Sequence, residues 1–435
     1  MKKKLFVLSM DAMVHEDVAV MLTKPNFARI MSKRAEVGGV RSVYPASTYP
    51  AHTTLSTGCY PAKHGVWANM APKIGGDGIA NWPLHHTYID VEDLFAAAKR
   101  AGRTTAAVFW PITACNPNID HVINEYFFYY PQDAKNEDDV VATFRAQGAD
   151  DVAIRAVKEN LHLFPWKGPD GKHIDRFDNF INGCTCSLIR NAKPDVLLIH
   201  NCHLDSTRHA TGVFSEALYK ALDVMDAWLG DIIAAMEDAG TYDDTDFVIL
   251  SDHGQRDYTR TVKLNFLLER GGFLSIAPNG TIYDWRAYAK SNGQSAMIYL
   301  INEQSEKLYN NVKAYLEQLK EEGTWGISEV LTREELKERY GQCGPYSFML
   351  EAVDFTDFSG QLVGDLITEY QTPRAGHGYQ PEKGPQPIFL AHGPSFKDGA
   401  FLEKAELADI APTLAAVLGD TLPEAEGRVL HELLK

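Results

Sequence analysis

The chain of 435 residues carries 42 lysines and arginines against 58 aspartates and glutamates, a formal net charge of −16. With 45% hydrophobic and 23% charged residues it has the composition of an ordinary folded protein, which excludes a disordered, collagen-like or membrane-embedded chain. The acidic balance argues against binding a nucleic-acid polymer through its phosphates. It leaves room for a small anionic substrate, because metal ions or buried arginines can create a local positive field.

The start of the chain, Met1-Lys-Lys-Lys, imitates a signal peptide. Its apolar run Leu5–Met10 ends at Asp11, short of a secretory h-region. No run approaches the ~18 apolar residues of a membrane span. Six cysteines without a CxxC pair do not form a disulfide framework and read as reduced thiols. The expectation is a cytoplasmic protein with no membrane span.

Leu5–Met10 is the first predicted strand, a short apolar run bounded by turn residues. Val91–Arg100 has helical periodicity and stops before Gly102. Thr104–Trp110 reads as a strand. Arg176–Asn191 reads as a helix halted before Pro194, with Gly183 in its interior. Asp195–His200 is the next strand, Phe214–Ala239 a long amphipathic helix, and Phe247–Ser251 another strand. Pro387–Ala391 is the last strand, and Glu406–Leu418 is a helix closing at Gly419. This alternation predicts an α/β fold with a mostly parallel sheet covered on both faces. Residues 260–372 read differently. They hold the pair Gly271-Gly272, an apolar run at Ala296–Ile301 and charged helical stretches at Glu303–Glu322 and Arg333–Arg339. That segment is expected to be an inserted α+β subdomain bordering the site, with 1–259 and 373–435 forming the core.

Acidic and histidine residues follow the predicted strands, at the edge where open α/β sheets bind ligands. Asp11 follows the first strand, Asp205 and His209 the third, and Asp252-His253 the fourth; His377 precedes the last. Asp205 and His209 are four apart, so on a helix they share one face and can bind one metal ion. Asp252 and His253 are adjacent, which suits one residue reaching each of two metals. Alone, each has an ordinary reading as turn former, helix cap or solvated helix face. Together, in this order, they make a mixed nitrogen and oxygen donor set suited to zinc, with manganese or iron also accommodated. Ser47 and Thr48 precede an apolar segment. They read either as plain helix caps or as a hydroxyl placed beside a metal, where its pKa falls and it becomes a competent nucleophile.

The segment reads Thr48-Tyr49-Pro50-Ala51-His52, then Thr57-Gly58-Cys59-Tyr60-Pro61-Ala62-Lys63-His64-Gly65, then Asn69. Downstream come Phe109-Trp110-Pro111, Asp205 with His209, Asp252-His253-Gly254 and His377-Gly378-Tyr379. In these motifs and their order the chain resembles the alkaline phosphatase superfamily, in its nucleotide pyrophosphatase/phosphodiesterase branch. The resemblance implies an alkaline-phosphatase-like three-layer sandwich and two zinc ions. Asp11, Thr48, Asp252 and His253 would surround one ion, and Asp205, His209 and His377 the other. Thr48 would attack phosphorus to form a covalent phosphothreonine, hydrolysed by water at the second zinc. Asn69 and the Thr48 N–H would hold a phosphoryl oxygen. Tyr49, Trp110 and His200 would face the substrate, His200 standing where nucleotide-hydrolysing members commonly carry a base-stacking aromatic residue. The run Tyr126–Tyr130 offers either a second wall or core packing. The implied substrate is a small phosphorylated molecule, cleaved at a phosphodiester or pyrophosphate bond.

Other readings share the same residues. A phosphonoacetate-hydrolase-like or phosphomonoesterase activity would want a cation near the pocket, for which Lys63, Lys73, Arg208, Arg256 and Arg260 lie close in sequence. Cys59-Tyr-Pro-Ala-Lys63 resembles a sulfatase signature with Lys in place of Arg. A protein using the metals structurally, without turnover, is the reading from another class. His52 and His64 are expected to make structural hydrogen bonds rather than to bind metal.

Overall fold

An eight-stranded sheet forms the centre of the computed structural model, which describes residues 3–72, 74, 82–128, 134–167 and 176–435. Across the sheet its strands are Phe401–Leu402, Ala35–Val37, Phe389–His392, Thr245–Leu250, Lys4–Met10, Val196–Asn201, Thr105–Val108 and His121–Ile123. All run the same way except Phe389–His392, which is antiparallel to both neighbours. The sheet is therefore mostly parallel, as the alternating pattern predicts.

Helices cover both faces, and this explains why the central strands read as unbroken apolar runs. Phe6, Leu8, Leu197 and Ile199 pack with the helices Phe177–Asn191 and Glu216–Ala239. Leu5, Val7, Val196 and Leu198 face the opposite way, onto the helices Thr48–Thr57, Leu94–Arg100 and Ile410–Leu418. The period-two alternation of each strand thus assigns every side chain to one cover or the other.

Two local expectations shift. The strand expected to reach Trp110 ends at Val108, because Phe109 takes a left-handed backbone, φ +54°, that breaks the extended run. Gly183 does not interrupt its helix. A Cβ there would sit 2.3 Å from Asn160 Oδ1, so glycine permits the close approach of the neighbouring segment.

Between the fourth and last core strands lies a four-stranded antiparallel sheet, ordered Ala287–Ser291, Ser295–Leu300, Phe348–Ala352 and Ile327–Thr332. The helix Glu306–Glu321, opened by Ser305 accepting from the Leu308 N–H at 3.3 Å, supplies Val312, Leu316 and Leu319 to a separate apolar cluster on one face. The strands Arg256–Lys263 and Ile367–Gly376 pair antiparallel and carry the chain into and out of this part. The boundaries expected at 260 and 372 fall inside these two strands.

The other face of the small sheet presents Met297, Tyr299, Leu331 and Met349, which pack against Tyr44 and Ala68. Glu351 seals this contact. Its buried carboxylate accepts from Tyr44 Oη at 3.0 Å, from the Gln380 N–H at 3.2 Å and from Lys383 Nζ at 2.9 Å. One residue thereby ties the small sheet to the segments leading into Thr48 and out of His377. Burial pushes the Glu351 carboxyl up to about 7 from an ordinary 4.5, with Lys383 the largest opposing influence. A raised folded-state pKa means that the folded protein keeps a proton the unfolded chain has already lost between pH 4.5 and 7. The stability from this group is complete below 4.5 and falls as pH rises through 7. Glu351→Gln is expected to flatten that stretch of the Tm-against-pH profile. An unaltered slope would contradict the assignment.

Candidate active site

The sheet delivers most of the predicted residues to the carboxyl ends of its strands. Asp11 leaves the strand Lys4–Met10, and Asp252-His253 leave the neighbouring strand Thr245–Leu250. Asp205 and His209 lie on the helix His203–Thr211 that follows Val196–Asn201, so the helical face assumed from their spacing exists. His377 follows the strand Ile367–Gly376, and Thr48 is the first residue of the helix Thr48–Thr57. Ser47 occupies the cap position without a side-chain cap bond.

These side chains converge. Thr48 Oγ1 lies 3.4 Å from His253 Nε2, which is 3.2 Å from Asp252 Oδ2 and 3.5 Å from Asp11 Oδ1. Asp205 Oδ1 and His209 Nε2 are 3.2 Å apart. The His253 and His377 rings stack at 4.2 Å, and the His209 and His377 centroids are 5.2 Å apart. The ligand atoms of Asp11, Asp252 and His253 lie within 4.8 Å of one another, as do those of Asp205, His253 and His377. His253 therefore belongs to both groups, and Asp252 lies with Asp11.

Three imidazoles are aimed by their backbone contacts. Nδ1 of His209 meets the Ala375 carbonyl at 2.8 Å, Nδ1 of His377 the Ala46 carbonyl at 3.1 Å, and Nδ1 of His253 the Gly254 carbonyl at 3.2 Å. Each Nδ1 lies against a carbonyl, so each Nε2 turns toward the centre, the arrangement metal-binding histidines use. Burial lowers His253 to about 4 and His377 to about 3, keeping both rings neutral. Burial, then the charges of Asp252 and Asp205, pushes the Asp11 carboxyl well above its usual range. The buried atoms Asp11 Oδ1 and Asp252 Oδ2 have no hydrogen-bond partner. Unpartnered carboxylate oxygens beside neutral imidazole nitrogens are the donor set of a divalent cation, and the residues fit one.

Beside this cluster, the Tyr49 N–H donates to Asn69 Oδ1 at 2.9 Å. That bond holds the Asn69 amide beside the first turn of the Thr48 helix. Gln255, which the sequence reading missed, is buried and its Nε2 donates to the Asp205 carbonyl at 3.2 Å and to the Asp205 carboxylate. Its position directly after Asp-His-Gly is the one sequence signal that could have found it.

His52 and His64 make the structural hydrogen bonds expected of them. His52 Nδ1 meets the Thr48 carbonyl at 2.8 Å and Nε2 meets Ser9 Oγ at 2.9 Å; His64 Nε2 meets Thr54 Oγ1 at 3.1 Å. Cys59 is buried at the far end of the Thr48 helix, where burial pushes its thiol up to about 11. Lys63 is bound to the Glu424 carbonyl, Arg256 to Asp354, and Arg260 Nε to Thr356 Oγ1 at 2.8 Å. Arg208 is fully buried, bound to Asp17 and the Val213 carbonyl. Lys73 lies outside the described residues.

Two expected substrate contacts need correction. His200 is 0% exposed, locked between Glu125 and Asp11 behind the cluster, with no ring face open to a base. Its strand alternation places it with Val196 and Leu198 under the Thr48 helix. Trp110 is 1% exposed, donates from Nε1 to Ser56 Oγ at 2.8 Å and sits edge-on to His52, so it supports the floor of the site. Tyr49 is also buried, its ring 4.9 Å from that of Trp82. In the aromatic run, Phe128 packs into the core against Phe144, Phe164 and Phe177; residues 129 and 130 lie outside the described residues.

The fold is shared with solved structures. Murine ectonucleotide pyrophosphatase/phosphodiesterase 5 superposes with a TM-score of 0.68 at 19% identity, covering 100% of both chains. An inactive variant of that protein in complex with AMP gives 0.67 at 18%, again over 100% of both. Fold and motif set place the chain in the alkaline phosphatase superfamily. Within it, the chain belongs to the family of hydrolases described as type I phosphodiesterase/nucleotide pyrophosphatase, whose model matches residues 5–379. Curated relatives include a bis(5'-adenosyl)-triphosphatase of Xenopus laevis, 20% identical over 425 residues (96% of this chain, 78% of that one). Human ectonucleotide pyrophosphatase/phosphodiesterase family member 5 is 22% identical over 437 residues (97% and 75%). Among the described residues no helix is long and apolar enough to cross a membrane.

Proposed function

We propose that this protein hydrolyses phosphodiester or pyrophosphate bonds of small nucleotide-type substrates on two zinc ions, with Thr48 as the nucleophile. The observation that carries this reading is the Thr48 hydroxyl at the start of its helix, 3.4 Å from His253 Nε2 and beside unpartnered Asp11 and Asp252 oxygens. The relative that cleaves a bis-adenosyl triphosphate and the murine structure holding AMP support nucleotide-type substrates.

Asp11, Thr48, Asp252 and His253 would hold one ion, and Asp205, His209 and His377 the other, with His253 close enough to serve either. Bound zinc supplies Lewis acidity, which lowers the pKa of a hydroxyl or water and offsets charge developing on the phosphoryl oxygens. Thr48 Oγ1 forms the new bond to phosphorus while the bond to the leaving oxygen breaks. Water then displaces Thr48, restoring its hydroxyl. Asn69, its amide fixed by the Tyr49 N–H, donates from Nδ2 to a non-bridging oxygen. Among the described residues, the four cations close in sequence to the site, Lys63, Arg208, Arg256 and Arg260, are bound to other groups, which favours a diester over the more highly charged monoester.

Asn69→Ala tests the assignment. Loss of one oxyanion donor is expected to lower kcat by on the order of 10²–10³-fold, with zinc content unchanged. A kcat within threefold of wild type would contradict it.

A further inference from the structure

Asp11 has two carboxylate oxygens in different situations. Oδ2 lies 3.1 Å from His200 Nε2, while Oδ1 has no hydrogen-bond partner and belongs to the cluster with Asp252 and His253. On the far side of the ring, His200 Nδ1 lies 2.7 Å from Glu125 Oε2. Asp11, His200 and Glu125 are each no more than 2% exposed. Both ring nitrogens are thus within hydrogen-bond distance of a carboxyl group, one on each side of the ring.

We infer that His200 is a positioning residue, held by Glu125, that fixes the Asp11 carboxylate so that Oδ1 alone faces the metal centre. The inference rests on the metal reading above. Without the His200 donor, the carboxylate is free to turn about its Cβ–Cγ bond, and Oδ2 becomes a second buried oxygen without a partner. Glu125 acts one step further out, holding the ring in the plane that reaches Asp11. Two further groups pack against His200. The His52 ring lies 4.3 Å from it, and Cys202 Sγ is 3.7 Å from Nε2. The Asp11, His200 and Cys202 ligand atoms also lie within 4.8 Å of one another. Both His200 nitrogens already meet carboxyl groups, so a third ion here would have to displace one of those contacts.

The experiment measures zinc affinity by chelator competition, zinc content per chain, and kcat and KM on a nitrophenyl diester and a nucleotide diester. The proteins are wild type, His200→Phe, Glu125→Gln, the double variant and Cys202→Ala. His200→Phe is expected to weaken zinc binding and lower kcat by on the order of 10–100-fold, the usual cost of losing an outer-shell partner. KM should stay within threefold on both substrates. Glu125→Gln should shift both quantities less and in the same direction, and add nothing to His200→Phe, because it acts through that ring.

A rise in KM confined to the nucleotide ester, with zinc affinity unchanged, would make His200 a base platform and overturn the inference. So would additive single effects, or a third zinc per chain that Cys202→Ala removes. If His200→Phe fails to fold, Glu125→Gln decides, and its retention of wild-type zinc affinity and kcat overturns the inference. Wild-type protein that holds no zinc at all would instead sink the metal reading itself, which keeps the two failures distinct.

Discussion

Thr48→Ala is expected to lower kcat on a phosphodiester by on the order of 10⁴-fold or more, the scale seen when a covalent nucleophile is removed. Zinc content should remain near two ions per chain, because Asp11, Asp205, His209, Asp252, His253 and His377 are untouched. The fold should also survive. The helix Thr48–Thr57 keeps its backbone bonds, and its capping does not depend on the Thr48 side chain. Stopped-flow turnover and elemental analysis on the same preparation check both halves. Residual activity within tenfold of wild type would move the attacking group to water. Loss of zinc together with activity would make Thr48 a ligand first and a nucleophile second.

Removing the metal should have an effect of similar size on turnover and a visible one on stability. Chelation leaves Asp11, Asp205 and Asp252 crowded with no metal ion among them, and the rise already imposed on Asp11 by burial, Asp252 and Asp205 reflects that crowding. A raised carboxyl pKa confers stability that is lost as pH climbs through the folded value, so the apoprotein weakens toward alkaline pH. Metal binding moves the other way, since its ligands must be deprotonated; against burial, Asp205 lifts His209 to about 9, and that proton must leave on binding. Free zinc at 1,000 times its Kd adds about 4 kcal/mol. The expected result is a Tm gap between zinc-loaded and chelated protein of roughly 5 °C that widens between pH 6 and pH 8. A gap that is absent, or that narrows with pH, would contradict the proposed ligand set.

The parts of this site that the sequence revealed are those governed by local rules. Asp11 and Asp252-His253 lie where apolar runs stop, and strand ends are legible from composition alone. Asp205 and His209 needed only a helix between them. Thr48, Asn69 and His377 came from motif order. What stayed hidden depends on tertiary contact. His200 was assigned to the substrate because of its distance from Asp205 in the chain. Yet it sits within the predicted strand Asp195–His200, and the alternation Val196, Leu198, His200 already put it on a covered face. Glu125 carries no signal, since its relation to Asp11 exists only once the sheet is ordered. Glu351 is equally silent in the sequence, a glutamate in an apolar strand whose partners Tyr44, Gln380 and Lys383 come from distant segments. The limits of the small sheet blurred because the strands Arg256–Lys263 and Ile367–Gly376 run through both expected boundaries.

The most direct test of the central claim is the activity of zinc-loaded protein on matched nitrophenyl esters, a phosphodiester against a phosphomonoester. A diester kcat/KM about 100-fold or more above that of the monoester, some ~2.7 kcal/mol of transition-state discrimination, is the predicted result. A preference for the monoester would contradict the phosphodiesterase assignment while leaving the metal cluster in place.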